Sequence, residues 1–148
     1  MNLNKNEKYL ESKNYMAGKK LVVSDLLWGK LGMSICYDLR FPNLYRKLTK
    51  KGAQFFSIPA AFTFTTGKAH WHSLIRARAI ENGCFVFAPA QCGVHDNGRR
   101  TYGHSMIVNP WGKILVEANK NKKQIISTII NIDEIGHSRK KIPSMTQF

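Results

Sequence analysis

Cys36 is the residue whose type and position could most readily do chemistry. It follows the apolar stretch Leu31 to Ile35 and precedes Pro42, which suits the first turn of a helix and not a strand centre. A side chain at such a strand-to-helix bend is held on a rigid scaffold and can face a cleft at the edge of a sheet. The next backbone N–H can then point at a developing oxyanion, as in a nucleophile elbow. A thiol titrates near about 8.5, so a nucleophilic Cys36 needs a base or a positive neighbour. The competing reading is a small core cysteine, and position alone leaves both open. Cys84 lies inside an apolar strand pattern and reads as core. Cys92, in Gln91-Cys92-Gly93, could line a pocket.

Candidate bases are His70, His104, Glu11 and Glu81. A Cys–His pair would be the generic arrangement. His70 reads as a residue at a helix start, and His104 as a hydrogen-bonding residue ahead of a strand. His72, His95 and His137 show no metal-ligand spacing among themselves. Glu81 can pair with Arg76 or Arg78 along a helix.

The elements that must position these groups follow from periodicity and turn residues. Leu21 to Val23 and Lys30 to Ile35 read as strands around a turn closed by Gly29. A helix is expected from Pro42, with Leu44, Tyr45 and Leu48 as its apolar stripe and Gly52 as its C-cap. Gln54 to Ile58 reads as a buried strand. A loop from Thr63 to Gly67 leads to a helix over about 70–82, stopped by Gly83. Cys84 to Ala88 is a further apolar strand, and Val94 to Gly103 a polar, basic loop. Ser105 to Val108 and Lys113 to Val116 form a hairpin around Asn109-Pro110-Trp111-Gly112. Ile125 to Ile132 reads as a last long strand. Strand–helix alternation followed by antiparallel strands makes a layered α/β protein.

The chain has 148 residues, 43% of them hydrophobic, which excludes a disordered or collagen-like polymer. Three cysteines without a CxxC pair supply neither a disulfide framework nor a zinc knuckle. No apolar run approaches the roughly 20 residues of a membrane-spanning helix, and the polar N-terminus does not resemble a signal peptide. A cytoplasmic setting is the expectation. The 23 Lys+Arg against 9 Asp+Glu give a formal charge of +14. The basic residues are scattered in pairs near turns, and no nucleic-acid-binding motif accompanies them. The charge therefore reads as solvated surface, and a basic nucleic-acid-binding module is the weaker alternative.

Five blocks together carry a family resemblance. Gly32-Met33-Ser34-Ile35-Cys36-Tyr37-Asp38-Leu39-Arg40-Phe41-Pro42 resembles the nucleophile motif of the nitrilase, or carbon–nitrogen hydrolase, superfamily. Ala69-His70-Trp71 with Arg76-Ala77-Arg78-Ala79-Ile80-Glu81-Asn82 resembles the helix that follows. Ala90-Gln91-Cys92-Gly93, Tyr102 to Met106 and Asn109 to Gly112 continue the order. The similarity runs from about Tyr9 to Pro143, and its nearest branch resembles the amidases of deaminated glutathione and ω-amides.

The resemblance implies a nitrilase-like four-layer α-β-β-α sandwich and hydrolysis of a small non-peptide amide without metal or other cofactor. It implies Cys36 as nucleophile, Glu11 as a second glutamate and the Tyr37 backbone N–H as an oxyanion donor. Arg40 and Arg78 could meet a substrate carboxylate through a guanidinium fork, or equally serve as structural ion-pair residues. The family's catalytic lysine and main general-base glutamate have no matching positions here, and His70-Trp71-His72 stands where the family reads His-Trp-Glu. The sequence therefore reads as residues 1–148 of a partial carbon–nitrogen hydrolase domain, its C-terminal portion with the N-terminal part missing. A homo-oligomer or a complementing N-terminal chain is the expected partner. The alternative is a non-catalytic remnant.

Overall fold

The computed structural model describes residues 16, 18–120 and 122–145. Strands β1 (Val23–Leu26), β2 (Gly29–Met33), β3 (Phe55–Ser57), β4 (Phe85–Ala88), β7 (Met106–Val108) and β8 (Ile114–Glu117) form one six-stranded sheet in the order β1-β2-β3-β4-β7-β8. β5 (Cys92–Val94) and β6 (Arg100–Tyr102) pair separately as a short antiparallel ribbon. The centre of the large sheet, β2-β3-β4, is parallel. Both flanks are antiparallel. This is the α/β architecture that the alternation of strands and helices implied, with the hairpin around Asn109 to Gly112 where turn chemistry put it.

Helices α1 (Pro42–Lys50) and α2 (Phe64–Asn82) cover one face of the sheet. Trp71, Ile75 and Ala79 of α2 and Tyr45 and Leu48 of α1 are fully buried there against Phe56, Val86 and Val108. Each such side chain contributes roughly 1.5–3 kcal/mol of hydrophobic stabilisation. The alternate strand residues point the other way, as a period of two requires. Phe55 and Phe85 stack at 5.9 Å on that second face, joined by Leu31, Phe87, Leu115 and Ile130 and capped by Ile135 of α3 (Asp133–Lys141).

Four expectations from sequence are corrected. α2 begins at Phe64, so Thr63 is its N-cap and His70 lies inside it. Gly67 disguised that start. It sits in the helix because a Cβ there would lie 2.3 Å from the Tyr102 Cβ. The basic stretch after Val94 is mostly the β5–β6 ribbon and its turn, not an unstructured loop. The stretch 125–132 belongs to no strand, although its run of β-branched residues reads as one, and Ile125 and Ile129 are 97% and 96% exposed. Helix α3 was not anticipated, because a single isoleucine, Ile135, carries its buried contact.

Candidate active site

The cysteine of interest stands at the C-terminal edge of the parallel strands. The backbone ladder continues beyond them: Ser34 N–H donates to Ser57 O at 3.1 Å, and Cys36 N–H to Pro59 O at 2.9 Å. Ala60 N–H in turn donates to Pro89 O at 2.9 Å. Cys36 thus sits where ligands bind in parallel sheets, outside the carboxyl ends of the strands.

At this point the chain turns into a 3-10 helix over Cys36–Arg40, followed directly by α1. The turn is tight enough to force Cys36 to φ +43°, a left-handed conformation that costs an L-residue roughly 1–2 kcal/mol. Such strain persists only where surrounding structure holds it, and it concentrates at functional sites. Three contacts hold it here. Ile35 N–H donates to the Asp38 carboxylate at 2.9 Å, and Asp38 N–H returns to Ile35 O at 2.9 Å. Below the turn, Ser34 Oγ and Tyr45 Oη share a buried hydrogen bond of 2.8 Å, and burial pushes the Tyr45 phenol well above its ordinary range.

The Cys36 side chain is half-buried, not sealed in the core. Its own N–H is committed to Pro59, and no acceptor among the described residues takes the Tyr37 N–H. An N-terminal helical N–H of this kind is a ready donor for a negative oxygen. Ile35, Tyr37 and Phe41 are exposed around the turn, the two rings meeting edge to face at 5.6 Å.

The two arginines named from sequence have different surroundings. Arg78 is buried on α2; its Nε and Nη2 donate to Leu39 O at 3.0 and 2.8 Å, and Nη1 to Glu81 at 2.9 Å. Its fork is engaged inside the protein, clamping the 3-10 turn, which favours the structural one of the two roles that the sequence leaves open. Arg40 is half-buried, with Nη1 3.3 Å from His70 Nδ1 and its guanidinium over the Tyr37 and Phe62 rings. Its Nε is buried without a hydrogen-bond partner among the described residues. Glu11 lies outside the described residues. Glu81 takes the Arg78 pairing expected of it.

A cleft of about 580 Å³ opens past the end of β4, lined by Ala90, Cys92, His95, Asp96, His104 and Lys122 among others. Cys36 is not part of its lining, so the thiol and the cleft are separate features of this surface. The 3-10 turn and the Arg78 clamp escaped the sequence reading. The signal available for the turn was the five-residue interval between Ile35 and Phe41, too short for a loop and an α-helical turn together.

With the geometry in place, known proteins offer a comparison. The carbon–nitrogen hydrolase family matches residues 2–140. A deaminated glutathione amidase from Synechocystis sp. (strain PCC 6803 / GT-S) is 50% identical over 139 residues, covering 93% of this chain and 51% of that protein. The crystal structure of the C. elegans NitFhit protein superposes with a TM-score of 0.88 at 39% identity, over 100% of this chain and 36% of that one. Saccharomyces cerevisiae Nit3, described as a member of branch 10 of the nitrilase superfamily, gives 0.86 at 36% identity, over 93% and 50%. The chain spans about half the length of the curated relatives it matches.

Proposed function

The chain belongs to the carbon–nitrogen hydrolase family, and from that premise we propose that Cys36 is the nucleophile of an amidase acting on a small non-peptide amide. The observation that carries this reading is the strained Cys36 at the end of the parallel ladder, followed by a Tyr37 N–H that no described residue engages. The thiol gives its proton to a base and the thiolate attacks the amide carbon. The carbonyl electron pair moves onto oxygen, where the Tyr37 N–H donates to it. The C–N bond then breaks and the nitrogen leaves, as ammonia from a primary amide or as the free amine from an N-substituted one, carrying the proton the base had taken. Water attacks the thioester, the base accepts its proton, the C–S bond breaks and the acid departs while the thiol is restored.

Glu11 is the second glutamate of this scheme. The main base and the oxyanion-stabilising lysine have no matching positions in this sequence, so the scheme takes them from residues beyond these 148. They come from further residues of the same polypeptide or from a complementing chain. The unpaired stretch 125–132, with its exposed Ile125 and Ile129, supports such a completion, because it offers an apolar edge for additional strands. Completion in this way would give the four-layer sandwich. In this scheme Arg40 meets a substrate carboxylate and Arg78 positions the turn; the Arg40 Nε, unpartnered among the described residues, supports the first role and the Leu39 contacts the second. Relatives named as deaminated glutathione amidases point to ω-amides of that class as substrates.

The test is release of the leaving nitrogen: ammonia from simple ω-amides, and cysteinylglycine from deaminated glutathione. The chain is assayed alone and then mixed with the part of the Synechocystis relative that it does not cover. Alone, it should match a Cys36→Ala control at background. The mixture should turn over only with Cys36 present, since losing a member of a catalytic set costs several orders of magnitude. Equal rates for both mixtures would refute the nucleophile assignment.

A further inference from the structure

A second cluster of chemistry-bearing side chains lies apart from Cys36. His72 comes from the middle of α2, His104 from the link between β6 and β7, and Glu117 from the end of β8. The His72 Nε2 lies 3.1 Å from Glu117 Oε1, and His104 Nδ1 hydrogen-bonds the same oxygen. The three donor atoms all fall within 4.8 Å of one another. No spacing in the sequence announces this group. The fold assembles it from three separate elements.

The cluster is built rather than incidental. Gly103 and His104 are consecutive left-handed residues, at φ +73° and +59°. For His104 that conformation is strained. The Trp71 indole, itself fully buried, fixes it by donating to His104 O at 2.8 Å. The Tyr102 ring stacks on the His104 imidazole at 4.3 Å and meets His72 edge-on at 5.9 Å. Both imidazoles therefore have set orientations, and their side chains are only 33% (His72) and 19% (His104) exposed. His104 also borders the 580 Å³ cleft, which gives an ion a route in.

We propose that His72, His104 and Glu117 form a binding site for one divalent transition-metal ion of the zinc class. Two imidazole nitrogens and one carboxylate oxygen suit zinc, nickel or copper better than calcium or magnesium, which prefer all-oxygen shells. Tetrahedral zinc with ligands near 2.0–2.1 Å places neighbouring donors roughly 3.3 Å apart. The His72–Glu117 pair is already near that separation. Metal entry replaces the shared hydrogen bonds, and each neutral imidazole then carries its proton on the other ring nitrogen, Nδ1 of His72 and Nε2 of His104. Three protein ligands leave the fourth position to water.

The probe is zinc alone, titrated calorimetrically into the full chain carrying Cys36→Ser and Cys92→Ser, so that neither thiolate can supply the affinity. The site predicts one ion per chain, at least 30-fold weaker binding after Glu117→Gln or His104→Ala, and a higher Tm at saturating zinc. Cobalt added to the same double-serine protein should shift the ring protons of both His72 and His104 in NMR spectra, a readout that needs no change at the site. Absence of saturable binding would overturn the proposal. So would binding that both variants retain, or cobalt shifts that spare these two rings. In any of those cases the three residues are a closed hydrogen-bond network only.

Discussion

Arg78 and Leu39 are joined by a two-pronged hydrogen bond, Nε and Nη2 both donating to one buried carbonyl at 3.0 and 2.8 Å. This contact ties the C-terminal part of α2 to the turn that carries Cys36. A charged donor inside the protein is worth more than a neutral one, about 1.5–3 kcal/mol. Arg78→Lys keeps the charge and loses the fork. It should lower unfolding stability by about 2 kcal/mol in urea titrations. A variant as stable as the parent would show that the clamp does not hold the turn.

Cys36 carries the strain of a left-handed backbone. Alanine keeps that strain and glycine removes it. Cys36→Gly should therefore equal or exceed Cys36→Ala in stability, by up to about 1 kcal/mol, although glycine ordinarily costs a fold. Chemical denaturation of the two variants side by side decides it; a clearly more stable alanine variant would contradict the strained geometry.

Gly67 inverts the usual helix rule. Alanine normally stabilises a helix interior by about 1 kcal/mol over glycine. Here the added methyl would lie 2.3 Å from Tyr102 Cβ. Gly67→Ala should instead destabilise by about 1–3 kcal/mol, the cost of overpacking. Thermal unfolding measures it, and a raised Tm would mean that α2 and β6 do not approach this closely.

Glu117 gives a pH dependence with a defined sign. Burial pushes its carboxyl up, but hydrogen bonds and charge from His104 and His72 outweigh that and hold it below the ordinary carboxylate range. A carboxylate depressed on folding stabilises above its unfolded value, near about 4.3, and loses that contribution as pH falls through its folded value. The stability gap between parent and Glu117→Gln should be full at pH 7 and close as the pH is lowered through 4. A gap that widens with acid would contradict the network.

Much of this molecule is legible in its sequence, and the illegible parts share a cause. β3 and β4 are short apolar runs between turn residues, and the Asn109-Pro110-Trp111-Gly112 turn announces its hairpin; local chemistry suffices for both. Cys36 is legible as a candidate because a strand, a thiol and a helix-starting proline fall in order. What failed depended on distant neighbours. Gly67 looks like a breaker until Tyr102 is known to press on it. The stretch 125–132 is rich in β-branched residues like a strand, yet a strand exists only where a partner accepts its hydrogen bonds. Arg78 could be weighed only once Leu39 O was seen to occupy it, and Glu117 drew no notice until the fold set it against two histidines.

The account rests on a covalent bond at one sulfur. Intact-protein and peptide mass spectrometry, on the chain mixed with the complementing part of the Synechocystis relative and acid-quenched during turnover of an ω-amide, looks for it directly. The predicted result is an acyl mass on the peptide containing Cys36, absent from Cys36→Ala. Turnover with the acyl group on another residue, or undiminished turnover in Cys36→Ala, would contradict it.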